Sequence, residues 1–459
     1  MTDISIDTSI FRDYDIRGIY PEQVNEQTFL VIGKSLSSFL KVDKISVGFD
    51  ARLSSEKLSQ SLISGITSMG TDVVTLGQIS TEMNYFASGR YGFPASVIVS
   101  ASHNPPQYNG LKIVKKGVVP LHGSFGLPEI KELAIIQKFN NATRTGKVIS
   151  MDISDDWLDH LLSFIDPKKL AGMTVVVDTG NGMGGPTWEK INRRLPSIKI
   201  IPLFFKPDGH FPNHLPDPLN PDNLVALQEK IRVTKADAGI ALDGDADRLF
   251  TVDDKGDLLS GTLTCAMLAE HLLLTRGSGP VLYSITTGKI VPETVKKHKG
   301  IPFKTRVGHS FIKTEMKKRH ALFAGEHSGH FYFRDNYNAD SASIAALLFL
   351  EFLAVKGKKL SELRKTYESH ISSSEINFLV DDTEKFLNNI RKHFAGKELD
   401  LIDGLTLDEG SWWFNVRASK TEPLIRLNME ADNPLLYKQK YKAINTVIRQ
   451  LGGTPKIET

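Results

Sequence analysis

Three aspartates on alternate residues, Asp243, Asp245 and Asp247, have the plainest chemistry in this sequence. Three carboxylates within one short loop repel one another unless a cation neutralises them, and hard cations such as Mg²⁺ prefer carboxylate oxygens. Three protein ligands leave coordination positions open for water or for a phosphate oxygen. The spacing therefore predicts a Mg²⁺ site, and a merely solvated acidic loop is the alternative.

An EF-hand calcium loop also contains alternating acidic residues and has to be weighed here. Counted from Asp243, an EF-hand needs glycine at the sixth position and glutamate at the twelfth, where this sequence has Arg248 and Asp254. An EF-hand also needs flanking helices, whereas the apolar run at 238–242 is typical of a buried strand. The pattern therefore argues against an EF-hand.

A second polar segment follows the apolar run at 95–99, which also has the pattern of a buried strand. Its sequence, Ser-Ala-Ser-His-Asn-Pro-Pro at 100–106, brings Ser102 and His103 to the rim of a sheet. Open α/β sheets bind ligands beyond the carboxyl ends of their strands, which favours a binding site here. The alternative is an ordinary turn, since Asn-Pro pairs start turns.

Two further loops group side chains that suit a phosphorylated sugar. The segment Gly-Glu-His-Ser-Gly-His at 325–330 offers a carboxylate, a hydroxyl and two imidazoles, and sugar hydroxyls need acceptors and donors together. The segment Arg-Ala-Ser-Lys-Thr-Glu-Pro at 417–423 combines two cations with two hydroxyls, a mixture that suits a phosphate. The alternatives are a loop with one capping glutamate and an exposed turn, respectively.

A glycine-rich segment at 180–185 formally matches G-x-G-x-x-G and supplies a rival hypothesis, a dinucleotide-dependent oxidoreductase. Two residues separate it from the apolar run that ends at 177, and no acidic residue stands near position 200 to bind a ribose. A tight turn between a strand and a helix is the simpler interpretation of these glycines.

The elements that must position these loops alternate along the first 370 residues. Apolar runs and helical patterns follow one another, which favours βαβ units and mostly parallel sheets. Three such patterns occur, and in each an apolar run ends in one of the polar loops near 100, 243 and 325. The region at 123–150 is expected to be loose. After the serine run at 372–374 the composition changes, and we predict a smaller α+β domain there.

The composition restricts the class of protein. The chain has 459 residues and a net charge of +3, too little positive charge to predict nucleic-acid binding. A single cysteine, Cys265, excludes an internal disulfide and a cysteine-based zinc site, and it fits a reducing compartment. We find neither a signal peptide nor an apolar run of the roughly 18 residues that a membrane span needs. We therefore expect a cytoplasmic protein that binds no nucleic acid and no membrane.

Taken together, these segments resemble the α-D-phosphohexomutases, in particular their bacterial phosphomannomutase/phosphoglucomutase branch. The resemblance covers nearly the whole chain in the right order, and it includes Phe-Arg-Asp-Tyr-Asp-Ile-Arg-Gly at 11–18 and Asn-Gly-Leu-Lys at 109–112. It implies an α/β fold: three similar α/β domains with mixed sheets and a smaller C-terminal α+β domain around a central cleft. We place these domains at 1–148, 149–252, 253–370 and 371–459.

The resemblance also implies a reaction. Ser102 would carry a phosphoryl group, and the aspartates at 243, 245 and 247 would bind Mg²⁺, which also touches the serine phosphate. The enzyme would interconvert hexose 1-phosphate and hexose 6-phosphate, of mannose or glucose, with hexose 1,6-bisphosphate as intermediate and activator. Lys112 or His330 would act as general acid or base. The residues implied around the reacting phosphoryl group are Tyr14, Arg17, His103, Lys112, Arg248 and His330. The residues implied at the sugar and the distal phosphate are Glu326, Ser328, His309, Arg417, Ser419, Lys420 and Thr421.

Some positions depart from the pattern of this branch. The distal loop has Lys420 where asparagine is common, and Lys289 is a poor candidate for the substrate-contacting lysine expected early in the third domain. Phosphoglucosamine mutases usually have Ser-Gly-Thr-Glu-Pro in the distal loop, so Ser-Lys-Thr-Glu-Pro at 419–423 argues mildly against that alternative. A non-catalytic sugar-phosphate-binding paralogue would be expected to lack Ser102 or the aspartates. We expect sugar phosphates as partners, and a monomer or weak homo-oligomer.

Overall fold

Four β-sheets follow one another along the part of the chain that the structure describes. The computed structural model describes residues 4–372, 375–419 and 424–456. Within these residues the first three sheets mix parallel and antiparallel strands, and every pairing in the fourth is antiparallel. This confirms the predicted architecture of three similar α/β domains followed by a domain of another type.

The first sheet carries the segment that contains Ser102. Its strands are β1 (Ile16–Ile19), β2 (Lys44–Phe49), β3 (Asp72–Gln78), β4 (Ala95–Val99), β5 (Tyr108–Lys115), β6 (Val119–Pro120) and β7 (Val148–Ser150). The helices are α1 (Glu26–Leu40), α2 (Ser55–Ser68), α3 (Thr81–Tyr91) and α4 (Leu127–Ile136). The spatial order is β1-β5-β4-β2-β3-β7, with β6 beside β5. Strands β4, β2, β3 and β7 run parallel, whereas β5 runs antiparallel to β4.

The second sheet carries the three aspartates. Its strands are β8 (Thr174–Asp178), β9 (Lys199–Leu203), β10 (Ala238–Leu242), β11 (Leu249–Val252) and β12 (Leu258–Leu259). The helices around it are α5 (Ser154–Leu162), α6 (Gly184–Arg194) and α7 (Val225–Thr234). The spatial order is β12-β11-β10-β8-β9.

The third sheet carries the segment at 325–330. Its strands are β13 (Pro280–Ser284), β14 (Ile301–Thr305), β15 (Phe323–Gly325), β16 (Phe331–Phe333) and β17 (Ala339–Asp340). The helices are α8 (Gly261–Arg276), α9 (Ile290–Lys297), α10 (His309–Arg319), α11 (Ala342–Lys356) and α12 (Leu360–Tyr367). The spatial order is β14-β13-β15-β16-β17. The Ser341 hydroxyl accepts the N–H of Ile344 to begin α11, and Gly357, with φ +59°, ends it.

The fourth sheet leads to the distal loop. Its strands are β18 (Ile371–Ser372), β19 (Ile376–Leu379), β20 (Leu399–Asp400), β21 (Leu405–Asp408), β22 (Trp412–Ala418), β23 (Leu424–Ala431) and β24 (Thr454–Pro455). The helices are α13 (Thr383–His393) and α14 (Pro434–Gln450). Neither these nor the other helices within the described ranges are long and apolar enough to cross a bilayer.

The three polar loops occupy equivalent positions in the first three sheets. Each connects a buried strand to the antiparallel strand beside it, β4 to β5, β10 to β11 and β15 to β16. Every residue of β4, β10 and β15 is buried, so the first polar side chains that can meet a ligand stand just beyond the strand ends. One topology therefore presents three different sets of side chains at the rim of a sheet.

One apolar core extends through the first three domains, whereas the fourth has a core of its own. Trp157 and Trp188 of the second domain and Phe349 of the third are completely buried in the shared core. Phe378 and Phe414 lie in the core of the fourth domain. The first three loops are therefore positioned by domains that share one core, whereas the distal loop belongs to a domain with a separate core.

Sheet membership bears on two of the predicted domain boundaries. Strand β7 pairs with β3 in the first sheet, and β12 pairs with β11 in the second. Both strands end a few residues past 148 and 252, where we placed the boundaries. We therefore propose that the first two domains extend to the ends of these strands.

The expectation of a loose region at 123–150 is wrong for much of its length. Helix α4 buries Leu127, Ile130 and Ala134, which stand at helical spacing on one face. Glu129 accepts the N–H of Gly126 at 2.9 Å, which satisfies a free backbone donor at the start of the helix. Helix α4 is only ten residues long and has a proline in its first turn. The polar residues on either side of the helix obscured its short apolar pattern in the sequence.

Candidate active site

Ser102 lies in the loop between β4 and β5 with an unusual backbone conformation. Its φ angle is +52°, in the left-handed region that residues other than glycine seldom adopt. The hydroxyl donates a hydrogen bond to Oδ2 of Asp243 at 2.9 Å and lies 3.2 Å from Nδ1 of His103. Backbone of this kind persists where surrounding contacts impose it, which is common at reactive sites. The loop therefore directs the Ser102 hydroxyl at the acidic segment of the second domain.

The three aspartates between β10 and β11 form one buried cluster. Their carboxylate oxygens come within 4.8 Å of one another, and none of the three residues is more than 2% exposed. Nζ of Lys112, on β5, lies 2.6 Å from Oδ2 of Asp245 and 2.5 Å from Oδ2 of Asp247. Burial opposes the charge of Lys112, but these two carboxylates hold its pKa well above the ordinary value. Lys112 is therefore a protonated cation buried against the cluster.

The cluster still lacks positive charge, although Lys112 and Arg248 contact it. Oδ1 of Asp245 is buried without a hydrogen-bond partner. Burial, together with the charges of Asp247 and Asp245, raises the pKa of Asp243 well above its ordinary value. A hard dication would satisfy the unpartnered oxygen and stabilise the ionised form of Asp243. The three carboxylates, with a serine hydroxyl beside them, therefore fit a metal such as Mg²⁺.

Contacts from the first domain set the shape of the acidic loop. Thr81, at the start of α3, donates its N–H to the carbonyl of Asp245 at 3.0 Å and its hydroxyl to Oδ2 of Asp245 at 2.5 Å. A side chain at Gly244 would place Cβ only 2.5 Å from the carbonyl oxygen of Ser102. Glycine at this position is what lets the two loops approach each other so closely.

Helix α3 also joins the first domain to the third. Glu82 is completely buried, and its carboxylate accepts hydrogen bonds from the hydroxyls of Ser341 and Ser343, both at 2.6 Å. These serines stand at the start of α11. Burial raises the pKa of Glu82 to about 7 in spite of the hydrogen bonds. One helix therefore contacts the acidic loop of the second domain and the third domain together.

Arg17 and Arg248 place positive charge around the Ser102 loop, and Arg248 also contacts His103 there. Arg248 donates from Nε to Oδ2 of Asp243 at 3.0 Å, and its Nη2 contacts Nδ1 of His103. Arg17, on β1, donates from Nη1 to the side-chain oxygen of Asn104 at 2.5 Å. A phosphoryl group on serine carries close to two negative charges, and guanidinium groups bind its oxygens as forks. The charge distribution around this loop therefore suits a phosphorylated side chain.

His330 connects the loop of the third domain to the acidic cluster. Its Nε2 lies 3.4 Å from Oδ1 of Asp247, and its Nδ1 lies 3.0 Å from the hydroxyl of Ser328. A backbone bridge between Arg248 and His330 joins the two loops. The imidazole is therefore within reach of the cluster although it belongs to another domain.

Glu326 is buried in the same loop with a fixed orientation. Its Oε1 accepts the backbone N–H of Gly308 at 3.2 Å, and its Oε2 accepts the hydroxyl of Tyr332 at 2.6 Å. Each carboxylate oxygen can accept a second hydrogen bond, so a sugar hydroxyl still has an acceptor here.

Tyr14 of the first domain meets His309 of the third. The two rings lie 5.7 Å apart, and the Tyr14 hydroxyl donates to the carbonyl of Val307 at 3.4 Å. Burial, reinforced by the charge of Lys313, lowers the pKa of His309 well below its ordinary value, so this imidazole is neutral near pH 7. A neutral imidazole can donate and accept hydrogen bonds with a sugar without adding charge.

Two arginines in the fourth domain share one carboxylate. Arg417 on β22 stands directly opposite Arg426 on β23. Glu375 lies 2.6 Å from Nη2 of Arg417 and 2.9 Å from Nη1 of Arg426. Like charges in directly opposed strand positions destabilise a sheet unless an anion neutralises them. Among the described residues, Glu375 supplies one negative charge against these two positive charges, so the pair suits a further anion such as a phosphate.

The remaining predicted residues of the distal loop are only partly described. Ser419 follows β22, and its hydroxyl accepts a hydrogen bond from Nη2 of Arg426 at 3.4 Å. Lys420 and Thr421 lie outside the described residues.

Comparison with known protein families decides the class of this enzyme. The domain models described as "Phosphoglucomutase/phosphomannomutase, alpha/beta/alpha domain" I, II and III match residues 8–140, 155–256 and 260–370. The model of the C-terminal domain of the same family matches residues 375–439. The chain belongs to this family.

Individual relatives agree with the family. A phosphomannomutase of Escherichia coli K12 is 36% identical over 437 residues, which cover 93% of this chain and 96% of that protein. A phosphoglucomutase/phosphomannomutase family protein from Burkholderia thailandensis superposes with a TM-score of 0.90 at 28% identity, covering 99% of this chain and 100% of that one. An N-acetylphosphoglucosamine mutase from Aspergillus fumigatus, solved with GlcNAc-6P and magnesium, shares the fold at a TM-score of 0.62 and 15% identity, covering 96% of each chain. The present phosphoglucomutase/phosphomannomutase family member is a phosphohexomutase, an intramolecular phosphotransferase.

In this phosphohexomutase other backbone segments pack directly against the glycines of the turn at 180–185. A Cβ at Gly182 would lie 2.6 Å from the carbonyl oxygen of Gly244, and one at Gly185 would lie 1.7 Å from that of Phe205. The glycines therefore allow close packing behind the acidic loop. Their arrangement argues against the oxidoreductase hypothesis, which needed them to approach a pyrophosphate.

Several residues of the site escaped the sequence analysis. Thr81 and Glu375 hold site residues in place, and Arg426 adds a second cation beside Arg417. The sequence could have pointed to Arg426, because it is a charged residue within the apolar run that directly follows the distal loop. Lys289, judged a poor substrate contact, lies 2.9 Å from Asp408 and joins the third domain to the fourth.

Proposed function

We propose that this phosphohexomutase interconverts hexose 1-phosphate and hexose 6-phosphate, of mannose and of glucose, through phosphorylated Ser102 and a hexose 1,6-bisphosphate intermediate. The observation that carries the proposal is the Ser102 hydroxyl, held in a strained loop 2.9 Å from Asp243. The buried acidic cluster, with an unpartnered oxygen on Asp245, supports Mg²⁺ as the metal. The N-acetylphosphoglucosamine mutase from Aspergillus fumigatus, which was solved with magnesium and GlcNAc-6P, supports the same choice of metal.

The first step moves a phosphoryl group from Ser102 to the free hydroxyl of the sugar phosphate. The bond from phosphorus to Oγ of Ser102 breaks, the bond to the sugar oxygen forms, and the sugar hydroxyl loses its proton to a base. Phosphoryl transfer depends mainly on positioning and on stabilising charge. Arg17 and Arg248 would stabilise the phosphoryl oxygens, and a Mg²⁺ held by the three aspartates would supply further positive charge.

Proton transfer falls to Lys112 or His330. Lys112 carries a proton because Asp245 and Asp247 hold its pKa well above the ordinary value against the effect of burial. Lys112 therefore starts the step protonated, and we assign it the role of the acid that gives a proton to the oxygen leaving phosphorus. His330, 3.4 Å from Asp247, approaches the cluster from the third domain and is suited to exchange a proton with a sugar hydroxyl.

The second step returns the other phosphoryl group of the bisphosphate to Ser102. The intermediate must turn around so that first one end and then the other faces Ser102. Whichever phosphate is not reacting needs an anchor, and we assign this role to Arg417, Ser419, Lys420 and Thr421, with Arg426 beside them. Added hexose 1,6-bisphosphate would activate the enzyme because it phosphorylates Ser102 of any molecule that has lost its phosphoryl group.

A direct assay tests this proposal. Purified enzyme would be given glucose 1-phosphate, mannose 1-phosphate or glucosamine 1-phosphate, each with Mg²⁺ and a trace of hexose 1,6-bisphosphate. We expect the glucose and mannose substrates to be converted to 6-phosphates. Conversion of glucosamine 1-phosphate alone would instead identify a phosphoglucosamine mutase. If none of the three is converted, the proposed function is wrong.

We expect the enzyme to accept both glucose and mannose phosphates. The two sugars differ only at C2, whereas Glu326 and Ser328, by the family resemblance, would hold hydroxyls away from that carbon. A preference above ~1000-fold would need roughly 4 kcal/mol of discrimination at C2. The measurement is kcat/KM for each 1-phosphate under the same conditions. A ratio larger than that value would contradict dual specificity.

Replacing Arg417 with alanine should weaken both directions of the reaction. A charge-assisted hydrogen bond contributes roughly 1.5–3 kcal/mol, so kcat/KM should fall about 10- to 150-fold. Because one anchor serves both orientations of the sugar, KM should rise for the 1-phosphate and the 6-phosphate substrate alike. Arg449→Ala, on the exposed side of α14 in the same domain, is the matched control and should leave kcat/KM unchanged. A rise in KM for only one of the two substrates would mean that the two orientations use different anchors.

A further inference from the structure

Arg52 lies beneath the Ser102 loop and binds it at four points. It follows β2, and its guanidinium is completely buried. Nη2 donates to the carbonyl oxygens of Ser102 at 2.8 Å and Asn104 at 2.6 Å. Nη1 donates to the carbonyl oxygens of Pro105 at 2.7 Å and Tyr108 at 3.0 Å. One side chain therefore satisfies four carbonyl groups of a single loop.

The loop's own backbone supplies few donors for these carbonyl groups, and one of them is the N–H of Tyr108, which donates to the carbonyl of Pro105 at 3.0 Å. Pro105 and Pro106 have no backbone N–H, so this stretch of chain is poor in donors. A buried carbonyl without a partner costs free energy, and a loop would relax to avoid that cost. A planar guanidinium carries its donors on separate nitrogens in a fixed fork and can reach carbonyl groups spread over several residues, whereas an ammonium presents its three donors from a single nitrogen.

Residues of the first and of the second domain hold the Arg52 side chain in place. Its Nε lies 3.2 Å from Oδ2 of Asp50, and Oδ1 of Asp50 accepts the backbone N–H of Arg52 at 3.0 Å. The ring of Phe211, from the second domain, lies 5.4 Å from the guanidinium. A Cβ on Gly209 would come 2.9 Å from Cα of Arg52, so the second domain packs tightly over this residue. The guanidinium therefore has little freedom to leave its position.

We propose that Arg52 is a positioning residue that holds Ser102 in its left-handed conformation, with Oγ facing Asp243. Arg52 contacts the carbonyl of Ser102 and not its hydroxyl, so it acts through the backbone of the loop. The φ angle of +52° is costly for serine, and the four hydrogen bonds to Arg52 impose it. Without them the loop relaxes and Oγ moves away from the acidic cluster. The catalytic consequence rests on the proposed function; the effect on the loop does not.

The variant Arg52→Lys tests this inference, because lysine keeps the charge and loses the fork. A displacement of about 1 Å at a reacting group can cost on the order of 100-fold in rate, so we expect kcat to fall about 30- to 100-fold. KM should stay within about threefold, since the Arg52 guanidinium is buried beneath the loop and donates to backbone carbonyl groups. Hydrogen exchange of the backbone amides at 100–110 should become at least about 10-fold faster. The matched control is Arg276→Lys, which also donates to a carbonyl, that of Phe164 at 2.8 Å, and should change none of these values.

A double variant guards against a folding defect in Arg52→Lys. Asp50→Asn combined with Arg52→Gln removes both charges together and leaves no unpaired buried ion. It should show at least the loss of kcat and the faster exchange expected of the lysine variant. Unchanged exchange at 100–110 in a folded variant would overturn the inference, and so would a loss confined to KM. If the wild-type enzyme converts no hexose phosphate, the proposed function fails, whereas the exchange measurement still decides the role of Arg52.

Discussion

Replacing Ser102 with alanine is expected to lower mutase turnover by on the order of 10⁴-fold or more, because the group that carries the phosphoryl between sugars is lost. The fold should survive. Alanine has the same steric cost as serine at a φ angle of +52°, and the lost hydrogen bond to Asp243 contributes only about 1 kcal/mol. The measurements are kcat with glucose 1-phosphate and the melting temperature of the variant.

Mass spectrometry supplies an independent readout for Ser102. Wild-type enzyme incubated with hexose 1,6-bisphosphate should carry one phosphoryl group that maps to Ser102, and the alanine variant should carry none. Ser64→Ala removes an exposed serine from α2 of the same domain and is the matched control, expected to keep full activity and phosphorylation. Full turnover in Ser102→Ala, or a phosphoryl group mapped to another residue, would contradict the proposed mechanism.

The second large effect is expected at the metal site, with Asp245→Asn. Asparagine has almost the same shape as aspartate but removes one of three negative charges from the cluster. Mg²⁺ affinity should fall at least about 10-fold, because a neutral amide oxygen is a weaker ligand for a hard cation. The activity of the variant should therefore need a higher concentration of Mg²⁺ to reach its maximum.

Thermal stability offers a readout of metal binding that does not depend on activity. Ligand binding to the folded state stabilises it, by about 2.7 kcal/mol at one hundred times the Kd, so Mg²⁺ should raise the melting temperature of the wild type. The rise should be smaller in Asp245→Asn and unchanged in Asp222→Asn, an exposed residue of the same domain. Removal of metal by a chelator should abolish turnover in the wild type. Activity that survives exhaustive chelation would contradict the metal role.

The sequence by itself was sufficient to predict the features that depend on residues close together in the chain. Buried strands such as β4 and β10 are continuous apolar runs, and the polar residues after them mark the sheet rim. The alternation of Asp243, Asp245 and Asp247 predicted one acidic cluster, because residues so close in the chain cannot lie far apart. Family resemblance added the four-domain order, which the domain matches confirm.

The tertiary structure alone decided which residues support those loops. Arg52 stands 50 positions before Ser102 and Thr81 stands 164 positions before Asp245, so no periodicity links either residue to its partner. Lys112 likewise contacts Asp245 and Asp247, which belong to another domain and lie far from it in the sequence. Periodicity reports only which face of an element is buried. The contact of Arg52 depends on which strands pair within the first sheet, and the contacts of Thr81 and Lys112 depend on how two domains pack together. The positioning of the Ser102 hydroxyl therefore depends on the folded chain, because the first sheet brings Arg52 to the loop and the packing of the second domain brings Asp243 to the hydroxyl.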